Sequence, residues 1–286
     1  MAALNRFLRL QPLSSSLSSL RCFTALASEA RLGFPDSLSH QRPLRRPNHA
    51  NRNVQWIFLG CPGVGKGTYA SRLSQLLGVP HIATGDLVRA ELKSSSPLAD
   101  QLKEIVNQGK LVSDEIIINL LSKHLEECEA KGESGFILDG FPRTIRQAEI
   151  LEGVTEIDLV VNLKLREDVL IEKCLARRTC SQCGGNFNVA SIDIKPENGK
   201  PGILMAPLLP PPQCASKLTV RSDDTEEVVK ERLRIYNEVS QPVEGFYGSR
   251  GLLVDFDLPG GIPESWPKLL EALNLDDHEV KQSAAA

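Results

Sequence analysis

Gly60-Cys61-Pro62-Gly63-Val64-Gly65-Lys66-Gly67-Thr68 is the stretch that decides the fold of this 286-residue chain. A short apolar run, residues 54–59, precedes it. Residues 65–77 follow, with Tyr69, Leu73, Leu76 and Leu77 at helical spacing. Strand, glycine-rich turn and helix in that order make the setting of a phosphate-binding loop. Glycines leave no Cβ between the backbone N–H groups and an anion, and the helix N-terminus adds positive potential. Lys66 is placed to reach the β- and γ-phosphates of a nucleotide. The residue after it is Gly67, so the hydroxyl usually directed at magnesium is missing or moved to Thr68. Mg²⁺ keeps waters and binds phosphate oxygens, so the departure still permits it. The GTPase and motor classes use that hydroxyl, and the departure argues against them.

Outward from the loop, strands alternate with helices. Helical stretches are predicted over residues 86–93, 97–107, 114–131, 166–178, 225–246 and 264–273. Short apolar runs at 79–82, 136–138, 159–163 and 252–256 read as buried strands. Residues 180–221 break the pattern with six of the 18 Pro and three of the seven Cys, and read as an inserted loop-rich or small β unit. The alternation implies an α/β fold, a doubly wound parallel sheet flanked by helices, with ligands at the carboxyl ends of its strands.

Composition divides the chain in two. Residues 1–53 hold eight Arg, no Lys, eight Ser and two acids (Glu29, Asp36), a formal charge of +6; the total of -3 leaves -9 for the rest. An Arg- and Ser-rich, acid-poor N-terminus is the composition of an organellar transit peptide. Arg6 and Arg9 within residues 4–10 suit a mitochondrial helix. The Met-Ala start, the serine cluster at 14–19 and the length tilt the expectation to the chloroplast stroma over the mitochondrial matrix. Seven Cys in this length is not a disulfide scaffold, and either compartment keeps thiols largely reduced. No run approaches the ~20 apolar residues of a membrane-spanning helix. The acidic remainder argues against a nucleic-acid partner.

Two further segments narrow the chemistry. Thr84-Gly85-Asp86-Leu87-Val88-Arg89 follows one short strand, and Asp139-Gly140-Phe141-Pro142-Arg143-Thr144 follows another. They set Asp139 near a metal and two arginines at strand ends, where a guanidinium fork bonds two phosphate oxygens at once. With the glycine-rich loop, these residues resemble the adenylate kinase family, from residue 54 to about 273, in an organellar form with a long LID. The motifs present are GxPGxGKGT, TGDLVR, DGFPRT and a following Gln147.

The resemblance implies a P-loop nucleoside-monophosphate kinase fold: CORE segments at 54–82, 113–176 and 223–275, an AMP-binding insertion at 83–112 and a LID at 177–222. The flanks, 1–53 and 276–286, are expected to be transit peptide and disordered tail. It implies that Gly63, Val64, Gly65, Lys66, Gly67, Thr68 and Arg177 hold ATP. AMP falls to Thr84, Arg89, Gly140, Phe141, Pro142, Arg143 and Gln147, with Lys110, Leu111 and Val112 as a wall and Arg221 and Arg232 as the clamp of the closing LID. Lys66, Arg143, Arg177, Arg221 and Arg232 would be the catalytic set, and Asp139 would orient magnesium-bound water. Lys173 stands where the family often has another Arg, losing bidentate geometry. ATP, ADP and AMP are the implied partners, Mg²⁺ the cofactor, and a monomer is expected.

The reaction read from these parts is reversible ATP + AMP = 2 ADP. A UMP/CMP kinase shares the loop, but Thr144 and the long LID favour adenylate kinase. A nucleotide-gated binding protein would not need two arginine sets flanking two pockets.

Cys180-x2-Cys183-Gly184 looks like half a zinc knuckle, with Cys214 following after 30 intervening residues. The fourth position holds Lys217, a poor ligand, and the intervening loop is Pro-rich (Pro207, Pro210, Pro211, Pro212). Zinc at Cys180, Cys183 and Cys214 is disfavoured on that ground. Were it present, the fourth ligand would be a water or an acid such as Asp193. Cys61, Cys128 and Cys174 read as packing residues.

Overall fold

The computed structural model describes residues 54–94, 96–196 and 202–275, and the expected transit peptide and C-terminal tail lie outside them. At the centre is β1 (Gln55–Gly60). Its residues from Trp56 to Leu59 are at most 7% exposed, the burial of a strand covered on both faces. Further parallel strands are β2 (His81–Ala83), β3 (Phe136–Asp139), β4 (Leu159–Lys164) and β10 (Leu253–Asp257), in the order β10-β4-β1-β3-β2.

Alternation along a strand sends neighbouring side chains to opposite faces. Trp56 and Phe58 pack with Tyr69 and Leu73 of α1 (Lys66–Leu77), Leu170 and Cys174 of α6 (Glu167–Leu175), Val229 of α8 (Glu226–Ile235) and Leu269 of α10 (Ile262–Ala272). Ile57 and Leu59 pack on the other side, with Leu121 of α4 (Asp114–Ala130), Leu151 of α5 (Ile145–Val154) and Val243 and Tyr247 of α9 (Pro242–Gly248). Helices α2 (Thr84–Leu92) and α3 (Pro97–Asn107) form the insertion after β2. Among the described residues no helix is long and apolar enough to cross a membrane.

The helix expected over 166–178 ends at Leu175, because Arg177–Cys180 (β5) pairs antiparallel with β6 (Asn186–Asn188) and β9 (Leu218–Thr219). Non-local pairing outweighs the helical spacing here. The helix expected over 225–246 is split by a wide turn, Tyr236–Ser240. Pro242 has no N–H and its ring crowds the preceding turn, so Gln241 N–H bonds back five residues to the Tyr236 carbonyl at 2.8 Å. Helix α5 has no counterpart in the sequence reading. It starts on Thr144, whose hydroxyl accepts from Gln147 N–H at 3.1 Å.

The inserted unit contains two structures. One is the β5-β6-β9 sheet, with a short helix α7 (Pro212–Ala215) before β9. The other is a hairpin of β7 (Ile192–Ile194) and β8 (Ile203–Met205) whose Ile192, Ile203 and Met205 pack on Val169 of α6. Gly261 N–H also donates to the Leu204 carbonyl at 3.1 Å. This hairpin is docked on the body of the fold.

The glycine-rich loop sits directly on α6. At Gly63, φ is +87°, and a Cβ would lie 2.6 Å from Cys174 Sγ and 2.7 Å from the Leu170 carbonyl oxygen. Gly63→Ala is therefore expected to cost about 2–4 kcal/mol in urea denaturation. Gly78 ends α1 at φ +66° with nothing within 4 Å of an added Cβ. There, Gly78→Ala should lose only about 1–2 kcal/mol, and equal losses at both positions would show that contact with α6 carries no weight.

Candidate active site

The carboxyl ends of β1, β2 and β3 open into a cleft of about 590 Å³, continuous with the LID. A smaller pocket of about 80 Å³ lies under α2 and α3. Gly85, Arg89, Gly140, Arg143 and Arg232 line both, so two ligands would meet across these residues.

Gly63, Gly65, Lys66, Gly67 and Thr68 line the cleft. Val64 does not: its side chain is fully buried in the core, and its carbonyl accepts from Lys173 Nζ at 3.3 Å. Lys66 Nζ donates to the carbonyls of Gly60 (2.7 Å) and Cys61 (3.1 Å). Burial lowers its pKa to about 8, against the pull of Asp139. Burial pushes the Asp139 carboxyl up, but His81, Lys66 and Arg143 outweigh it and hold the group below its ordinary value. His81 Nε2 lies 3.6 Å from Asp139 Oδ2. A Cβ on Gly67 would lie 3.2 Å from the same carboxylate oxygen, so the missing P-loop hydroxyl belongs to a position crowded against Asp139.

Arg89, Arg143, Arg177, Arg221 and Arg232 converge on the cleft. Burial, then Arg232, lowers the pKa of Arg143 to about 10; burial, then Arg177 and Arg89, does the same to Arg221. The site holds more positive charge than its own acids neutralise, the condition of a polyanion receptor. Each guanidinium is parked on a local partner. Arg89 bonds Asp86 at 2.6 Å, Arg143 Nε the Gly140 carbonyl at 2.7 Å, Arg177 Nε Asp224 at 2.8 Å and Arg232 Asp223 at 2.8 Å. Arg221 bonds Thr179 at 3.2 Å and the Asn186 side chain. Asp224 outweighs burial at Arg177 and raises its pKa.

The small pocket is built from Thr84, Arg89, Lys110, Leu111, Val112, Gly140, Arg143, Gln147 and Arg232. Thr84 Oγ1 donates to the Gly140 carbonyl at 2.9 Å, joining α2 to the segment after β3. Gln147 is 2% exposed and held at both ends, accepting from Arg143 N–H and donating to Asp114, each at 2.7 Å. Phe141 and Pro142, expected at AMP, line neither cavity. Both are buried, and Phe141 belongs to the core between α4 and α5. Arg221 lines only the larger cleft.

Sequence reasoning did not single out Asp86, Asp223, Asp224 or Asn186, which are surface-type residues until the fold aims them at arginines. At the wide end of the cleft it reached only a loose alignment near Gly260 and Gly261. Trp266, Gly260, Gly261, Ile262 and Pro263 face Met205, Ala206 and Leu208 of the docked hairpin there, and Arg72 stacks 5.9 Å from the Trp266 ring centroid. An apolar slot at that end suits a nucleotide base.

A parallel sheet, a glycine-rich loop on a helix N-terminus and two cation-lined pockets sharing one wall define a P-loop nucleoside-monophosphate kinase. The adenylate kinase family profile matches residues 58–252. The chain is 70% identical over 266 residues to Adenylate kinase 1, chloroplastic, of Arabidopsis thaliana, covering 93% of this chain and 94% of the relative. It is 68% identical over 273 residues to Adenylate kinase of Solanum tuberosum, covering 96% and 94%. With Adenylate kinase of Caldicellulosiruptor saccharolyticus it shares 39% over 228 residues, 78% of this chain and all of the relative. The chain belongs to the adenylate kinase family. It is a phosphotransferase of the adenylate kinase type, interconverting ATP and AMP with two ADP.

Two half-buried lysines line the cleft, Lys66 and Lys173, each lowered to about 8 by burial. Above that pH the free site loses charge that bound phosphates would restore. Nucleotide binding at pH 8.5 should therefore take up on the order of half a proton or more, falling toward zero at pH 7. Calorimetry in buffers of different ionisation enthalpy measures this. Lys66→Met and Lys173→Met should each reduce the uptake, and no pH dependence in either would remove the lysines as its source.

Proposed function

We propose that ATP occupies the large cleft and AMP the small pocket, and that the γ-phosphoryl passes across their shared wall. What carries the reading is that Arg89, Arg143 and Arg232 line both cavities. Gly63, Gly65, Lys66, Gly67 and Thr68 hold the ATP phosphates. Thr84 and Gln147 position AMP, whose α-phosphate oxygen attacks the γ-phosphorus in line. Phosphoryl transfer asks the protein for positioning and charge stabilisation more than for a base. Lys66, Arg143, Arg177, Arg221 and Arg232 supply this by leaving their resting partners for phosphate oxygens. Arg177 and Arg221 come from the β5-β6-β9 sheet, so closing that sheet completes the site and excludes water that would hydrolyse ATP.

Mg²⁺ fits the donors at hand: the Asp139 carboxylate, held ionised, faces the phosphate loop beside Thr68. Bound with ATP, the ion would neutralise charge between the β- and γ-phosphates. Asp139 would orient the ion's water, and Lys66 would contact the phosphates. Both cavities are lined by one chain, which supports a monomer. The division into CORE at 54–82, 113–176 and 223–275, AMP insertion at 83–112 and LID at 177–222 follows the same roles. The hairpin within the LID stays on α6, while the β5-β6-β9 sheet moves.

Residues 1–53 deliver the enzyme to an organelle, the chloroplast stroma on this reading. The chloroplastic relatives in Arabidopsis thaliana and rice support that compartment. A fluorescent protein carrying residues 1–53 should enter plastids, and mitochondrial import would reverse the assignment.

Purified protein given ATP and each of AMP, UMP, CMP and GMP should form diphosphate fastest with AMP, only with magnesium, and equally well after a strong chelator once magnesium is restored. Lys66→Ala or Arg143→Ala should slow turnover by at least ~100-fold, the effect of losing one preorganised donor. A preference for UMP or CMP, or a folded variant with near-normal rate, would refute these roles.

A further inference from the structure

The LID carries a group of side chains that phosphoryl transfer does not use. Cys180 ends β5, Cys183 lies in the turn after it and Cys214 lies in α7, and their three sulfur atoms are all within 4.8 Å of one another. Cys183 Sγ and Cys214 Sγ are 3.6 Å apart. The backbone brings them together. Cys180 stands opposite Leu218, Ser181 N–H donates to the Lys217 carbonyl at 2.9 Å, and Lys217 N–H turns back to the Cys214 carbonyl at 3.0 Å.

Three thiols make three corners of a tetrahedral metal site, and the fourth is not supplied. Among the described residues no His, Asp, Glu or further Cys joins the group. Asp193, the acid offered above as a fourth ligand, pairs instead with Lys195 at 3.7 Å on exposed surface. Lys217 turns its ammonium to the Gln182 side-chain oxygen. Structural zinc sites close with four protein ligands, so this set does not fit one.

We propose that Cys183 and Cys214 are a redox site, closing to a reversible intra-LID disulfide with a low-molecular-weight disulfide such as oxidised glutathione as the oxidant. The inference rests on the reading that the LID works without zinc. Cys183 is exposed and can meet the oxidant, while Cys180 and Cys214 are 1% and 4% exposed. The sulfurs must close from 3.6 Å to about 2.05 Å. The exposed turn Ser181, Gln182, Cys183, Gly184 is free of core packing and can make that shift.

The chemistry balances in two exchanges. The Cys183 thiolate attacks glutathione disulfide, giving a mixed disulfide and one glutathione thiolate. The Cys214 thiolate then attacks Cys183 Sγ and expels the second. Two protein thiols lose their hydrogens, one S–S bond forms, and one oxidised glutathione becomes two reduced, which take both protons. Cys180 assists from beside the pair. Backbone N–H groups of Cys183 and Gln182 favour its thiolate, and its sulfur lies within 4.8 Å of Cys214 Sγ.

The bond would close a span of 31 residues that includes the docked hairpin. Cross-linking such a span removes open states of the LID. Arg177 begins β5 and Arg221 follows β9, so neither guanidinium is part of the staple.

The test incubates the full chain with oxidised glutathione, then alkylates, digests and maps it, alongside a dithiothreitol-treated sample and elemental analysis. Expected is one cross-linked pair, Cys183 to Cys214, with Cys61, Cys128, Cys174 and Cys180 still alkylated. Native-state proteolysis within the LID should slow on the order of 100-fold and recover in dithiothreitol. Cys183→Ser should show neither effect, and Cys128→Ser should show both. Another pairing, one involving Cys22 included, a glutathione adduct that never resolves, or a link that leaves LID proteolysis unchanged would overturn the proposal. Thiols shielded by about one zinc per chain would overturn it together with the zinc-free reading, whereas failed cross-linking in zinc-free protein would overturn it alone.

Discussion

Positive charge held in one place without its counterion is the constraint on which the rest of this structure depends. Lys66 and five arginines face a single cleft, and burial makes Lys66, Arg143 and Arg221 less stable as cations. The fold keeps them charged and separated by giving each a temporary partner. Asp86, Asp223, Asp224, Asn186 and the carbonyls of Gly60 and Gly140 fill that role. Each of these partners is a single acid, amide or carbonyl, so a polyphosphate would offer the same cations more negative charge than they now meet. The resting pairs also fix where each guanidinium starts, which shortens the rearrangement that closure requires.

That arrangement needs a rigid base, and the parallel sheet provides it. Trp56 and Phe58 tie β1 to α1, α6 and α10, while Ile57 and Leu59 tie it to α4 and α5. The loop leaving β1 then has one course, over Leu170 and Cys174 of α6, with room for no Cβ at Gly63. Lys173 on the next turn of α6 reaches the loop carbonyl of Val64. Core packing and phosphate binding thus share one helix. A change in α6 packing would be felt at the nucleotide.

The LID divides its labour. The β7–β8 hairpin is anchored by Ile192, Ile203 and Met205 on Val169 and by Leu204 on Gly261, forming a wall of the base end of the cleft. The β5-β6-β9 sheet begins with Arg177, Arg221 follows its last strand, and the unit is joined to α8 through Asp223 and Asp224. One part of the insertion is thus held by apolar packing and the other by ion pairs.

The sequence by itself determined the parallel α/β class, the phosphate loop and the identities of the charged residues. Those features are local: a strand, a glycine-rich turn and a helix are contiguous, and their residue types are dictated by backbone approach to an anion. Tertiary structure decided what depends on distant pairing. Residues 177 and 178, expected to end a helix, instead begin a strand, because residues 186–188 and 218–219 offer hydrogen bonds that only the folded insertion brings near. Val64 and Phe141 belong to motifs that face ligands, but their side chains point into the core, since neighbouring positions on a turn or strand end face opposite ways. The acids that rest the arginines, the slot around Trp266 and the meeting of Cys183 with Cys214 across 31 residues have no contiguous signature. Each exists only where separate segments converge, and that convergence is set by packing on the two faces of the sheet and by the strand pairing of the LID.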